Sequence, residues 1–297
     1  MKNILLFFVT ILFISNLNSQ ANLLNAKNPS EIGKKQNVEE DKSLEYAEIE
    51  DSDVLWSKVV YEYIDLNEKL NFPLLYPTTD SDYGDTRKSL WKAIKEAIES
   101  GQIKEVYDGR NDNFLQDNVN RIIGKDSLGI DNFNLRDLYG STWQLGDSEP
   151  QRFAGSGDIV AYRIKGVWFF DKKHSELKYR LLGLMPVGKN LKSTSANEGG
   201  TGYFWLWYPQ VREILSKHKV FNDKNNNNRI SFDDLLVNRR FSSFIYKYNN
   251  VYGDREIKDY ITKRPGESDY QHHLRILLES ERIKKQILDF EVDMWGY

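Results

Sequence analysis

The chain contains no cysteine in 297 residues. That excludes disulfide staples, thiolate metal sites and cysteine nucleophiles, and it leaves no residue to carry a lipid anchor of the lipoprotein kind. Histidine is scarce at four and no HExxH occurs, so a zinc-protease helix is excluded as well. Charge of one sign is not in excess: 41 basic and 44 acidic residues give a net −3, spread along the chain. A nucleic-acid reader would carry a basic stripe, and none is present. Proline is sparse at seven, whereas aromatic residues reach 13%, which is core-forming material and not the composition of a disordered chain. Long apolar runs are missing apart from one near the start.

That run is Ile4 to Ile14, eleven residues interrupted only by Thr10, preceded by Lys2 and followed by small residues at Ser19 and Ala21. As a helix it would rise about 16 Å, roughly half a hydrocarbon core. The pattern predicts a signal peptide over 1–21 and therefore export. Removing it, with its single charge, takes the net charge from −3 to −4. Residues 22–50 are polar and almost free of aromatics, which predicts an extended arm or linker. The composition changes at Asp51, where a domain over 51–297 is expected to begin.

Within that domain, Val54, Leu55, Val59, Tyr63, Ile64 and Leu70 fall at helical spacing, with Asp51 or Ser52 as cap and Pro73 and Pro77 as stops. A second helix is expected from Asp85, as cap, to Ser100, with Gly101 beyond its end. The middle reads as sheet: Ile159 to Phe170 and Leu177 to Val187 flank the polar turn Asp171 to Ser175, a hairpin pattern. Tyr203 to Tyr208 is a third strand, followed by a helix from Pro209 to about Lys217. Phe232 to Tyr248 reads as helix. The last and longest helix starts at a capping-box pair, Ser268 and Gln271, and carries Ile276, Ile283, Ile287, Phe290 and Met294 along one face. The expectation is an α+β fold: a short antiparallel sheet with a central hairpin, flanked by helices that include a long C-terminal one.

The best chemical motif is Asp223 to Asp234, DKNNNNRISFDD. On a calcium-loop template Asp223, Asn225 and Asn227 take the first three ligand positions and Asp234 the last. Asn228 stands where glycine makes the sharp turn, and Asp234 is shorter than the glutamate that must reach the ion. The reading is therefore an Asn-rich turn entering a helix whose first turn holds Asp233 and Asp234. Gly183 to Asn190, GLMPVGKN, resembles a phosphate loop but has Asn190 in place of Ser or Thr, and no helix pattern follows. Ser156 in AGSGD lacks the strand–turn–helix context of a nucleophile elbow. The adjacent His272 and His273 diverge by about 100° on a helix and cannot share a metal. No catalytic residue and no cofactor is expected. What remains is aromatic density (Trp143, Trp168, Trp205, Trp207, Trp295) beside Arg152, Arg163 and Arg180, the residue types that anchor interfaces.

From about Glu45 onward the chain resembles the GldN/PorN family of the type IX secretion and gliding machinery of Bacteroidetes. The segments that carry the resemblance are Asp53 to Pro77, Val167 to Val187, FWLWYP at Phe204 to Pro209, Phe232 to Tyr260 and Glu281 to Tyr297. The resemblance implies a non-enzymatic periplasmic subunit held at the inner face of the outer membrane by a GldK/PorK-like lipoprotein. It also implies self-association within a large ring and contact with the periplasmic part of a GldM/PorM-like motor protein. The rival reading is a periplasmic glycan-binding protein or glycan-acting enzyme, with Trp205 and Trp207 as sugar platforms.

Overall fold

The computed structural model describes residues 43, 46, 48–79, 87–109, 112, 119–121, 153–189, 200–220 and 230–295. The expected signal peptide, Asp85, Trp143, Arg152 and the Asn-rich positions 223, 225 and 227 lie outside them.

The hairpin organises the rest. Strands β4 (Ile159–Asp171) and β5 (Glu176–Gly188) pair antiparallel from Asp171↔Glu176 to Ile159↔Gly188. The turn between them is closed by Asp171: its carboxylate accepts the backbone N–H groups of Lys173 (2.9 Å) and His174 (3.2 Å) and the Lys178 ammonium at 2.7 Å. Ser175 takes the left-handed backbone, φ 56°, that the turn needs.

Strand β1 (Val54–Asp65) lies along β4, antiparallel, from Val54↔Asp171 to Asp65↔Ala161. Here the expected first helix is wrong. The stretch is dense in β-branched and aromatic residues (Val54, Trp56, Val59, Val60, Tyr61, Tyr63, Ile64), which suit a pleated surface. Val60, Glu62 and Ile64 alternate inward, and Tyr61 between them joins a different core cluster. The apparent helical spacing was an accident of a short apolar run beside a long strand that needed a mate.

The sheet is antiparallel throughout. Its order is β3 (Val119–Arg121), β2 (Glu105–Asp108), β7 (Phe204–Trp207), β5, β4, β1, β8 (Phe244–Tyr248), with β6 (Thr201–Gly202) on the end of β5. The expected third strand is thus β7, and the expected helix after it is α3.

Among the described residues there are six α-helices: α1 (Phe72–Leu75), α2 (Leu90–Glu99), α3 (Tyr208–Ser216), α4 (Phe232–Val237), α5 (Ile257–Tyr260) and α6 (Asp269–Trp295). The cap of α2 is Ser89, whose Oγ accepts the Lys92 N–H at 3.0 Å, so the helix begins later than Asp85 would set it. Gly101 past its end has φ 74°, as the left-handed stop requires. The expected helix over Phe232 to Tyr248 ends after its first six residues. Arg239 turns left-handed (φ 52°), and Phe244 to Tyr248 runs as β8 beside β1, where aromatic and β-branched side chains again favour strand.

The largest core cluster joins α2, α3 and α4 to the sheet through Trp91, Ile94, Ile164, Leu184, Phe204, Tyr208 and Phe232. A smaller cluster of Val60, Ile245, Tyr248, Ile257, Ile283 and Ile287 seats α6.

Candidate interaction surface

The motif residues fall into structural roles. Asp234 caps α4: its Oδ2 accepts from Ser231 N–H (3.2 Å) and Ser231 Oγ–H (2.7 Å), while Ser231 Oγ accepts the Asp234 N–H at 3.0 Å. Gly183 to Gly188 is the C-terminal part of β5, extended chain and not a loop before a helix. Ser156 is buried, 2.6 Å from Ser89 Oγ. His272 Nε2 lies 2.7 Å from the Ile261 carbonyl, and His174 Nδ1 lies 2.6 Å from Asp171. Among the described residues no three His, Asp or Glu side chains are grouped to hold a metal. Trp205 is fully buried beside Met185 and Tyr107, so it offers no ring face to a sugar.

Two ion pairs with buried carboxylates, which no local pattern announces, tie α3 to α4 and the turn after α4 to β1. On α3, Arg212 donates from Nε to Asp233 Oδ1 (3.0 Å) and from Nη2 to Oδ2 (3.1 Å), and the Tyr208 hydroxyl donates to Oδ1 at 2.8 Å. Burial pushes the Tyr208 phenol well above its ordinary range, and the Asp233 charge adds to that. The Tyr46 ring lies 3.9 Å from the Arg212 guanidinium carbon, and its hydroxyl donates to the Leu181 carbonyl at 3.3 Å. Tyr46 thus docks on the body from within the segment read as an arm.

The second pair closes the α4–β8 turn. Glu62, 1% exposed on β1, accepts from Arg239 Nη1 (2.9 Å), Arg239 Nη2 (2.6 Å) and Ser243 Oγ (2.5 Å). The Arg239 guanidinium also covers the rings of Tyr179 (4.3 Å) and Trp168 (5.2 Å). Each carboxylate accepts three hydrogen bonds, which suits a clamp better than an acid–base pair.

The long helix presents something different. Ser268 and Gln271 form the expected capping box: Gln271 N–H donates to Ser268 Oγ (3.2 Å), and Ser268 N–H to Gln271 Oε1 (3.0 Å). The predicted stripe faces the sheet. Ile283 and Ile287 are buried, and Phe290 stacks on Trp56 with ring centroids 4.6 Å apart. Ser280 Oγ accepts the Ile245 N–H at 2.7 Å, and Lys284 Nζ donates to the Ser243 carbonyl at 2.6 Å, so α6 also engages backbone groups of β8, the end strand, and of the residue just before it. The face turned away from the sheet is apolar too: Tyr270 (76% exposed), Leu274 (44%), Leu278 (60%), Leu288 (54%) and Val292 (69%). An ordinary surface helix is polar there. Exposed apolar side chains gathered in two groups on one helix face, at 270–278 and 288–292 with Glu281 and Lys285 between them, mark a place where another surface docks.

A family model described as gliding motility associated protein GldN matches residues 49–296, from just before β1 to just beyond the end of α6. The chain belongs to the GldN family. It is therefore a component of the gliding motility and type IX secretion machinery, in a family of structural parts. No curated protein matches the chain. The match takes in the whole described sheet, both ion-pair clamps and all of α6, so the two-faced helix belongs to the GldN region itself. No described helix of this GldN chain is long and apolar enough to cross a membrane.

Proposed function

We propose that this GldN-family chain is an exported, non-enzymatic subunit of the secretion and gliding machinery that acts in the periplasm by holding other proteins together. In this reading a GldK/PorK-like lipoprotein keeps it at the inner face of the outer membrane. Copies of the pair form a ring, and the periplasmic part of a GldM/PorM-like motor protein contacts that ring. Residues 1–21 direct export, residues 22–50 act as an arm with Tyr46 as its anchor, and 51–297 form the body.

The observation that carries the reading is the outward apolar face of α6 on a body already held by its own clamps. Among the described residues, the inner stripe with Ser280 and Lys284 seats the helix, while Leu278, Leu288 and Val292 stay exposed. Kept in water they cost solubility, and covered by a partner they gain burial of roughly 1.5–3 kcal/mol each. The glycan-binding alternative loses its Trp205 platform to the core.

The test is complementation of a strain lacking the chain. Variants His272→Ala and His273→Ala are expected to restore secretion and gliding, because neither side chain performs chemistry. If either abolished secretion while the protein stayed folded and kept its co-purifying partners, the reading would fail.

A further inference from the structure

The outward residues of α6 follow a strict order. Leu274, Leu278, Glu281, Lys285, Leu288 and Val292 are spaced four, three, four, three and four apart, which is the alternation of the two seam positions in a coiled coil. All but one heptad step is apolar, and the exception is a glutamate followed by a lysine at the middle. Glu281, Lys285, Leu274, Leu278, Leu288 and Val292 are all exposed. The stripe runs about 27 Å along a helix of about 40 Å. It is also palindromic about position 283. Leu274 mirrors Val292, Leu278 mirrors Leu288, and Glu281 mirrors Lys285.

From this we infer that the occupant of the face is the α6 helix of a second copy of the chain, laid antiparallel across a two-fold axis at the level of residue 283. A two-fold contact must be self-complementary, so that residue i meets j and j meets i. In the antiparallel register each Leu278 packs on the other copy's Leu288 and each Leu274 on its Val292. Each Glu281 faces the other copy's Lys285 twice over, once on each side of the axis. A parallel pair would set Glu281 against Glu281 and Lys285 against Lys285, like charges at the centre of an apolar seam. A polar layer of this kind fixes register and orientation at some cost in strength. Arg282 and Lys284, which flank the axis, are matched within their own chain by Glu279 (2.5 Å) and Glu281 (2.9 Å). In the pair Glu281 is thus shared between its own Lys284, which also donates to the Ser243 carbonyl, and the other copy's Lys285.

The contact is small. A single helix face of this length falls well short of the roughly 800 Å² per partner of a standard interface. Alone it supports only a weak, transient contact. It gains strength where other contacts already hold the two copies close. The inference rests on the proposed function only in taking the chain to act by contact. It adds a two-fold joint, distinct from the head-to-tail contact that closes a ring.

Because the chain has no cysteine, introduced thiols are the only ones in it. The experiment expresses the full chain carrying Leu278→Cys with Leu288→Cys, oxidises the isolated envelope fraction, and analyses the product by non-reducing electrophoresis and mass spectrometry. The two positions lie about 15 Å apart on one helix, too far for a disulfide within a chain. The expected result is a covalent dimer at twice the chain mass, with position 278 linked to position 288. Leu278→Cys alone is expected to stay monomeric, since its mirror position is 288. Overturning results are a dimer from Leu278→Cys alone, which means a parallel pair, or no dimer from the double variant although it is folded and exported. A charge test is independent of the thiols. E281K should weaken association of the purified chain about tenfold in sedimentation, and E281K with K285E should recover most of that loss. Equal weakening by both would refute the Glu281–Lys285 register. If neither dimer nor charge effect is found while partners still co-purify, the pairing fails and the proposed function stands.

Discussion

Removing the Glu62 carboxylate tests whether the clamp on Arg239 organises one end of the sheet. Glu62 is 1% exposed and accepts three hydrogen bonds, two of them from Arg239. In Glu62→Ala the guanidinium loses its counter-charge while its side chain is only 24% exposed. Breaking a buried pair from one side costs about 3–5 kcal/mol, because the remaining charge is stranded. Arg239 also sits at φ 52°, a backbone state costing on the order of 1 kcal/mol or more, which the pair helps to hold. With a urea slope of roughly 2–3 kcal/mol per molar, the unfolding midpoint should fall by about 1–2 M. The loosening should be local first: amide exchange should speed up in β8 and in α6 around Ser280 and Lys284, which bond to Ile245 and Ser243. Glu62→Ala combined with Arg239→Ala should cost less than the two single changes added together. A midpoint shift below about 0.3 M, or additive single effects, would refute the clamp.

Three further outcomes follow from the same structure. Gly166→Ala should destabilise by about 1–3 kcal/mol in urea melts, since a Cβ there would come within 2.5 Å of several Tyr179 ring atoms, and an unchanged midpoint would contradict that. The Asp171 carboxyl, bonded chiefly by the Lys178 ammonium and also by His174 and Lys173, is held well below the usual carboxylate range. A depressed carboxylate stabilises the fold above its unfolded value of about 3.9 and loses that only as pH falls through the lower folded value. Its carboxyl carbon resonance should thus show no titration between pH 4 and 7, and a midpoint near 4 would refute the turn clamp. Calcium should not raise the melting temperature of the wild type more than that of Asp223→Ala. Asp234, the residue expected to close the loop, caps α4, and a bound ion at a hundredfold excess would add about 2.7 kcal/mol.

The hairpin, β7, α3 and α6 were legible because each is announced by a local pattern: a polar turn between β-branched runs, an aromatic run ending at Pro209, a capping box at Ser268. Strands β1 and β8 were not, since their partners decide them. Residues 54–65 satisfy helical spacing and strand alternation at once, and only the length of β4 alongside settles the choice. Phe244 to Tyr248 follows α4 without a proline, and the break comes from Arg239, anchored by Glu62 at a separation of 177 residues. No window along the chain contains that pair. At the surface, α6 carries two stripes of the same period on opposite faces. The outer stripe has the same three–four spacing as the inner one, but Glu281 and Lys285 interrupt it, so in the sequence it resembles ordinary exposed helix.

A chain that works as a joint between proteins is found with those proteins. The most direct measurement is the native mass of the tagged chain released gently from the envelope of gliding cells, with its companions identified by mass spectrometry. The expected result is a large multi-copy complex containing a lipoprotein and a motor protein of the same machinery. A lone 34.8 kDa species or its processed form, in cells that secrete and glide normally, would contradict it.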